Sequence, residues 1–306
     1  MTTEALPATA AAAEDGQLGA PPKRHDRGKA IRSYLGLAII VIWGLAPFYW
    51  MIVSAFRDVG YTFDNTPWFT HTTLDNFRTA FSTQRGNHFA HALLNSVIIS
   101  VSTTVIAMLV GVFAAYALAR LQFRFKYLIL GLILGASMFP GVALVSPLFS
   151  LFTNIGWLAG YNYQAMILPD ISFALPLAIY TLTAFFGELP WDLEEAARID
   201  GCTPGQAFRK VMLPLAAPGL FTTAILTFIS AWNEFLLSSQ LSNSDPHHYT
   251  QPVTVAIAFF TGAQPHQEPY TTVMAAGTIV TVPLIILVLV FQKAIVSGLT
   301  AGGVKG

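Results

Sequence analysis

Glu194-Glu195-Ala196-Ala197-Arg198-Ile199-Asp200-Gly201-Cys202-Thr203-Pro204-Gly205-Gln206-Ala207-Phe208-Arg209-Lys210-Val211-Met212-Leu213-Pro214 is the longest polar, helix-forming interruption in the second half of a very apolar chain. Its first half predicts a short helix. Pro190 suits a first helical turn, where a missing N–H costs nothing, and Asp192, Glu194 and Glu195 complement the helix dipole there. Ala196, Ala197 and Arg198 are good helix formers, and Gly201 supplies the stop. A second helix starts at Thr203, with Pro204 in its first turn and Gln206 placed to reach back as a capping box. Pro214 and Pro218 end or kink it before the next apolar run. Residues 188–214 therefore read as a helix–glycine turn–helix hairpin between two apolar segments.

Composition says what those segments are. Of 306 residues, 54% are hydrophobic and 10% charged, against roughly 25% charged in an average soluble domain. One large core cannot explain that deficit, because a soluble surface needs charge. The balanced net charge excludes nothing by itself. The lone Cys202 forbids an intrachain disulfide, and no nucleophile–base pattern lies near it. His88 and His91, and the adjacent His247 and His248, lack further ligands for a metal site and read as solvated loop or interface residues.

Outward from the hairpin, the chain divides into six apolar stretches, at 33–56, 91–119, 127–152, 163–186, 216–240 and 270–296. The first, 24 residues long, would reach about 36 Å as a helix, enough to cross a bilayer and too long for a signal-peptide core. Gly44 and Pro47 are its candidate kinks. The second carries Asn95, Ser96, Ser100, Ser102, Thr103 and Thr104, which favours packing against other helices over lipid. The third holds Pro140-Gly141 and Pro147, so a broken span lining a cavity is expected. Residues 75–81 predict a short amphipathic helix, and 253–260 a weakly apolar stretch too short to span. Residues 1–30 predict a disordered tail ahead of a membrane domain over 31–306. The expected fold class is all-α and polytopic, with six transmembrane helices and no internal repeat.

Six spans put both termini on one side. Thirteen of the sixteen Lys and Arg residues, among them Lys23, Arg24, Arg120, Arg124, Arg209, Lys210 and Lys305, fall on the termini's side; only Arg57, Arg78 and Arg85 fall opposite. The positive-inside rule makes the termini and the hairpin cytoplasmic.

The chain has no Gly-x-x-x-x-Gly-Lys-Ser/Thr, no Gly-x-Ser-x-Gly and no His-Glu-x-x-His, so neither nucleotide binding nor hydrolysis has residues to rest on. No catalytic residue and no metal site is expected. What remains is polar groups at membrane depth, which are costly there. Trp232, Asn233 and Glu234 sit mid-way along the fifth stretch and Asp170 near the start of the fourth. One reading makes them a pathway wall, with carboxylates and an amide for sugar hydroxyls and Trp232 as an apolar face for a pyranose ring. The other makes Asn233 and Glu234 interhelical glue.

Glu195-Ala196-Ala197, three residues, Gly201, nine residues and then Val211-x-Leu213-Pro214 resembles the EAA loop of ABC importer permeases, with Val211 where the family usually has Ile. Ala231-Trp232-Asn233-Glu234-Phe235 and the tail Val296-Ser-Gly-Leu-Thr-Ala-Gly-Gly-Val-Lys-Gly306 are similar to carbohydrate-type importer permeases, nearest the maltose/trehalose, MalG-like branch. The Ala/Pro-rich N-terminal tail is outside that pattern. The resemblance implies a type I importer permease fold and a bacterial cytoplasmic-membrane subunit importing an oligosaccharide, such as the disaccharides trehalose or maltose. It implies that Glu194, Glu195, Ala196, Ala197, Asp200, Gly201, Leu213 and Pro214 couple the chain to an ATPase subunit dimer. A second homologous permease and an extracytoplasmic solute-binding (lipo)protein are the other implied partners, along with the sugar and membrane lipid; nucleic acid is not one. No cofactor is expected on this chain, ATP and Mg being carried by the ATPase subunits. An ion-coupled secondary transporter, which usually shows repeated halves, and a membrane scaffold that moves nothing are the competing classes.

Overall fold

The computed structural model describes residues 27–83, 87–260 and 269–301. Most of the expected tail, residues 1–26, lies outside the described residues. Its last four residues do not belong to a tail: the first helix, α1, runs Arg27–Ala55, because Lys29, Ala30 and Arg32 are good helix formers that extend the apolar helix toward the N-terminus. The chain divides into two compact units, Met1–Phe48 and Tyr49–Gly306. Within the first, α1 presents open apolar side chains such as Tyr34, Ile40, Ile42 and Trp43, the last 84% exposed.

In the second unit α2 (Asp75–Phe81) and α3 (Phe89–Arg120) follow, and α4 (Lys126–Ser137) meets α5 (Val142–Asn154) at a bend of 89°. The bend falls where Pro140-Gly141 predicts it. Next come α6 (Tyr163–Glu188), which passes through Pro169 and Pro176, α7 (Trp191–Ile199) and α8 (Pro204–Ala207). A π-helical stretch, Phe208–Met212, leads into α9 (Leu213–Leu215), and α10 (Ala217–Trp232) leaves at 72° to the 204–215 segment. The chain closes with α11 (Ser238–Leu241), α12 (Val253–Ala258) and α13 (Tyr270–Ala301). Among the described residues four single helices are long and apolar enough to cross a membrane, and the two bent pairs bring the number to six if each is one span.

The fifth expected span, 216–240, is not one helix. Helix α10 stops at Trp232 after 16 residues, about 24 Å, and the chain restarts only at Ser238. The physical reason is local: the Asn233 amide donates to the Ile229 carbonyl (2.8 Å), and the Glu234 carboxylate accepts from the Leu237 (2.7 Å) and Ser238 (2.9 Å) N–H groups. Short polar side chains of this kind compete with the helix for its own backbone.

Helix α3 packs along α6 more extensively than any other pair of elements. Its inward face carries Asn95, Ser96, Ser100, Thr103, Ala107 and Gly111, so small and hydroxyl residues let two backbones approach; of the residues expected to pack there, Ser102 and Thr104 are only half-buried. Gly219 on α10 is a sharper case: a Cβ there would lie 2.3 Å from the Phe185 ring of α6, so only glycine fits. The loop after α11 is tied down by buried polar groups. Asn95 donates to the Tyr249 and Gln251 carbonyls (3.1 and 3.0 Å), and Ser96 Oγ accepts from the Val253 N–H (2.8 Å). That seats α12, whose Thr254 hydroxyl donates to the Glu234 carbonyl (2.7 Å).

Candidate functional site

The hairpin around Gly201 is built as its residues dictate, with three adjustments. Pro190 stands one residue outside α7, as its cap with ψ 136°, and Leu189 ahead of it is held extended. Asp192 and Glu194 lie in the first turn; Glu195 falls just beyond it. Asp200 is the cap that ends α7 rather than a residue within it. Gly201 then has φ +90°, the Cys202 N–H reaches the Ala197 carbonyl (2.9 Å) and the Gly201 N–H the Arg198 carbonyl (3.1 Å). This is a Schellman closure, which demands a left-handed residue after the cap. Thr203 caps α8 reciprocally with Gln206.

Helix α7 has two faces. Glu195, Ala196, Ile199 and Asp200 are exposed, as are Trp191 and Leu193; Ile199 is 86% exposed, far beyond what its apolar side chain favours. Ala197 does not belong with them. Expected to admit a partner groove, it is buried because α7 lies against the π-helical stretch of its own chain. Glu194 is half-buried and accepts from the Tyr116 hydroxyl of α3 (2.8 Å). Leu213 and Pro214 sit apart from the exposed face and line an apolar groove with Val112, Phe113 and Leu220.

The second site is a cavity of about 320 Å³ bounded by the α4–α5 bend, α6 and the end of α10. It brings together two of the four expected pathway residues, Asp170 and Glu234, with Ser137, Phe139, Phe173 and Ser230. Asp170 is 5% exposed and its Oδ2 has no hydrogen-bond partner. Glu234 lines the cavity, and its carboxylate holds the first turn of α11, a local contact where an interhelical one was the expected alternative. Asn233 is exposed, does not line the cavity and bonds the carbonyl of its own helix. Trp232 offers no face to a sugar. It is 1% exposed, stacked on Phe228 at 5.6 Å and packed with Phe89, Val253 and Ala276, because it points from α10 into the core.

Ser137, Phe139, Phe173 and Ser230 were not legible as site residues. The available signals were weak ones: Phe139 precedes the Pro140-Gly141 break, and Ser230 lies one helical turn before Glu234. Among the described residues no group of three or more His, Cys, Asp or Glu could hold a metal ion.

The family model described as binding-protein-dependent transport system inner membrane component matches residues 107–301. The trehalose transport system permease protein SugB of Mycobacterium tuberculosis (strain CDC 1551 / Oshkosh) is 48% identical over 268 residues, covering 88% of this chain and 95% of that one. The trehalose/maltose transport system permease protein MalG of Thermococcus litoralis is 41% identical over 285 residues, covering 92% and 99%. Among solved structures, a chain of a bacterial ABC transporter involved in the import of the acidic polysaccharide alginate superposes with a TM-score of 0.71 at 22% identity, covering 89% of this chain and 98% of that one.

Proposed function

The chain belongs to the family of binding-protein-dependent transport system inner membrane components, and from that premise we propose that it is the permease subunit of an ATP-driven importer carrying a neutral disaccharide, such as trehalose or maltose, across the bacterial cytoplasmic membrane. The observation that carries the substrate reading is the cavity wall. It holds two carboxylates, Asp170 and Glu234, and two serine hydroxyls, with no Lys, Arg or His among its lining residues. Carboxyl groups exchange hydrogen bonds with sugar hydroxyls, while a wall without a cation leaves the negative charge of a uronate or sulfonate unpaired in a low-dielectric surround. The cavity volume lies in the range of small-ligand sites, roughly 300–1,000 Å³. The names of the two relatives, both transport permeases for trehalose or for trehalose and maltose, support the same substrate class.

The exposed face of α7, with Glu195, Ala196, Ile199 and Asp200, is the docking surface for an ATPase subunit dimer that holds ATP and Mg. A second homologous permease completes the membrane pathway, and an extracytoplasmic solute-binding protein delivers the sugar. Closure of the ATPases pulls the hairpin, and the helical bundle rocks between inward- and outward-open forms. The excess of Lys and Arg on the hairpin's side of the chain supports cytoplasmic termini; labelling of Cys202 by an impermeant maleimide in intact cells would reverse that orientation.

The test is uptake into proteoliposomes holding the four-component importer, with labelled trehalose and maltose set against a uronic-acid disaccharide. Neutral sugar should accumulate only with ATP, and the acidic sugar should be excluded. Equal uptake of the acidic sugar by the unmodified importer would refute the substrate reading.

A further inference from the structure

We propose that Tyr116 and Arg120 are positioning residues for transport, forming the linkage that passes movement of α7 to the membrane helix α3. The proposal deepens the importer reading above and rests on it. Arg120 is the last residue of α3 and is 4% exposed. Its Nη2 donates to the carbonyl of Leu189, at the end of α6, at 2.6 Å, and its guanidinium stacks over the Trp191 ring at 4.6 Å. Tyr116, one turn earlier, donates its hydroxyl to Glu194 Oε1 at 2.8 Å. The last turn of α3 thus grips α7 at two residues on one face, 191 and 194. Nothing in the hairpin's own caps requires this contact, because Gly201 and the Thr203–Gln206 box close it without α3.

The Tyr116 ring is itself fixed. It lies 4.6 Å from Phe208 of the π-helical stretch and 5.7 Å from Phe186 of α6. A shift of α7 therefore meets a side chain that cannot swing freely and bears on α3, the helix most extensively packed on α6.

The grip is also incompletely satisfied. Glu194 Oε2 and Arg120 Nε and Nη1 are buried without a hydrogen-bond partner. A carboxylate and a guanidinium left in this condition are costly, and together they offer a second arrangement in which Glu194 leaves Tyr116 for the Arg120 fork. Beside the setting seen here, Tyr116–Glu194 with Arg120–Leu189, the proposed linkage would have a second, Arg120–Glu194. An element with two settings is what converts a small displacement at one end into a committed change at the other.

The experiment measures sugar transported per ATP hydrolysed by the complete importer in proteoliposomes, for the unmodified chain, Tyr116→Phe, Arg120→Lys and the double variant. Tyr116→Phe keeps the ring and its packing and removes one hydroxyl. Arg120→Lys keeps the charge and removes the planar fork. Each single variant should assemble with a full complement of ATPase and hydrolyse ATP, while sugar moved per ATP falls roughly tenfold. The double variant should be little worse than the stronger single one, because both act on one linkage. Unchanged transport per ATP in both single variants would overturn the proposal. So would loss of the ATPase or of the assembled complex from Tyr116→Phe, which would show that the cluster merely fastens the hairpin. Absence of ATP-dependent uptake by the unmodified importer would instead sink the importer reading, and this inference with it.

Discussion

The turn at Gly201 and the break at Asn233, 32 residues apart, interrupt two helices, and they do it by opposite means. At Gly201 the backbone does the work: one left-handed residue reverses the chain, and two carbonyls, of Ala197 and Arg198, are met by the N–H groups that follow. At Asn233 no residue has positive φ (Asn233 is at −91°), and side chains do the work. Asn233 bonds the Ile229 carbonyl, Glu234 bonds two N–H groups of the next turn, and Thr254 arrives from α12 to bond the Glu234 carbonyl. The first turn is largely exposed, so leftover polar groups could turn to water. The second lies beside buried α6 and α12 at the wall of a cavity, where unmet backbone groups are penalised, so side chains must meet them. A helix can be stopped by conformation alone only where water completes the hydrogen bonding.

That contrast orders the expected effects of substitution. The largest loss of uptake follows from Gly201→Val. No neighbour lies within 4 Å of a Cβ there, so the whole cost is the φ of +90°, which a β-branched residue resists by roughly 1–2 kcal/mol or more. The outward face of α7 should be misaimed, ATP-driven uptake should be lost, and the chain should still insert at normal abundance. Retention of stoichiometric ATPase with sugar-stimulated hydrolysis would show that the turn's geometry does not serve coupling.

Glu234→Ala comes next and attacks the other device. It leaves the Leu237 and Ser238 N–H groups without their acceptor, at about 1–3 kcal/mol each. Glu234→Gln retains an acceptor oxygen and should keep the assembled complex while uptake falls. Equal loss of complex in both variants would make Glu234 structural only.

Thr203→Ala tests the exposed hairpin where water substitutes well. Loss of the cap should cost about 1 kcal/mol, speed hydrogen exchange at the Gln206 amide roughly fivefold, and leave uptake nearly intact. A change in uptake as large as that of Gly201→Val would erase the distinction drawn between backbone and side-chain control.

The smallest effect is one of pH, in the exposed loop before α12. The backbone N–H of His247 chiefly holds the Asp245 carboxyl below its ordinary 3.8, with His248 assisting. A depressed pKa contributes order that is present above the ordinary value and lost as pH falls through the lowered one. Exchange of the His247 amide should therefore be flat from pH 5 to 8, once corrected for intrinsic rates, and should rise only below about pH 4. A rise that sets in well above pH 5 would show that the Asp245 carboxylate does not order the loop.

Much of this was readable from local pattern. Four of the six apolar stretches long enough to cross a bilayer, the Pro140-Gly141 bend, the short helix Asp75–Phe81 and the Gly201 and Thr203 caps depend on neighbours within a few residues, and each appears where the residues predict it. The site was only half legible for the same reason. Asp170 and Glu234 are conspicuous as carboxylates in apolar surroundings, so their unusual position could be read from sequence. That they share one cavity, that Trp232 turns away into the core, and that Ala197 and Glu194 face inward while Ile199 faces out were decided by packing of α4–α5, α6, α10 and the π-helical stretch. Hydropathy and capping act over one or two helical turns. Burial and the meeting of side chains more than sixty residues apart, as Asp170 and Glu234 are, depend on which helix faces close on each other, and that is settled only when the bundle assembles.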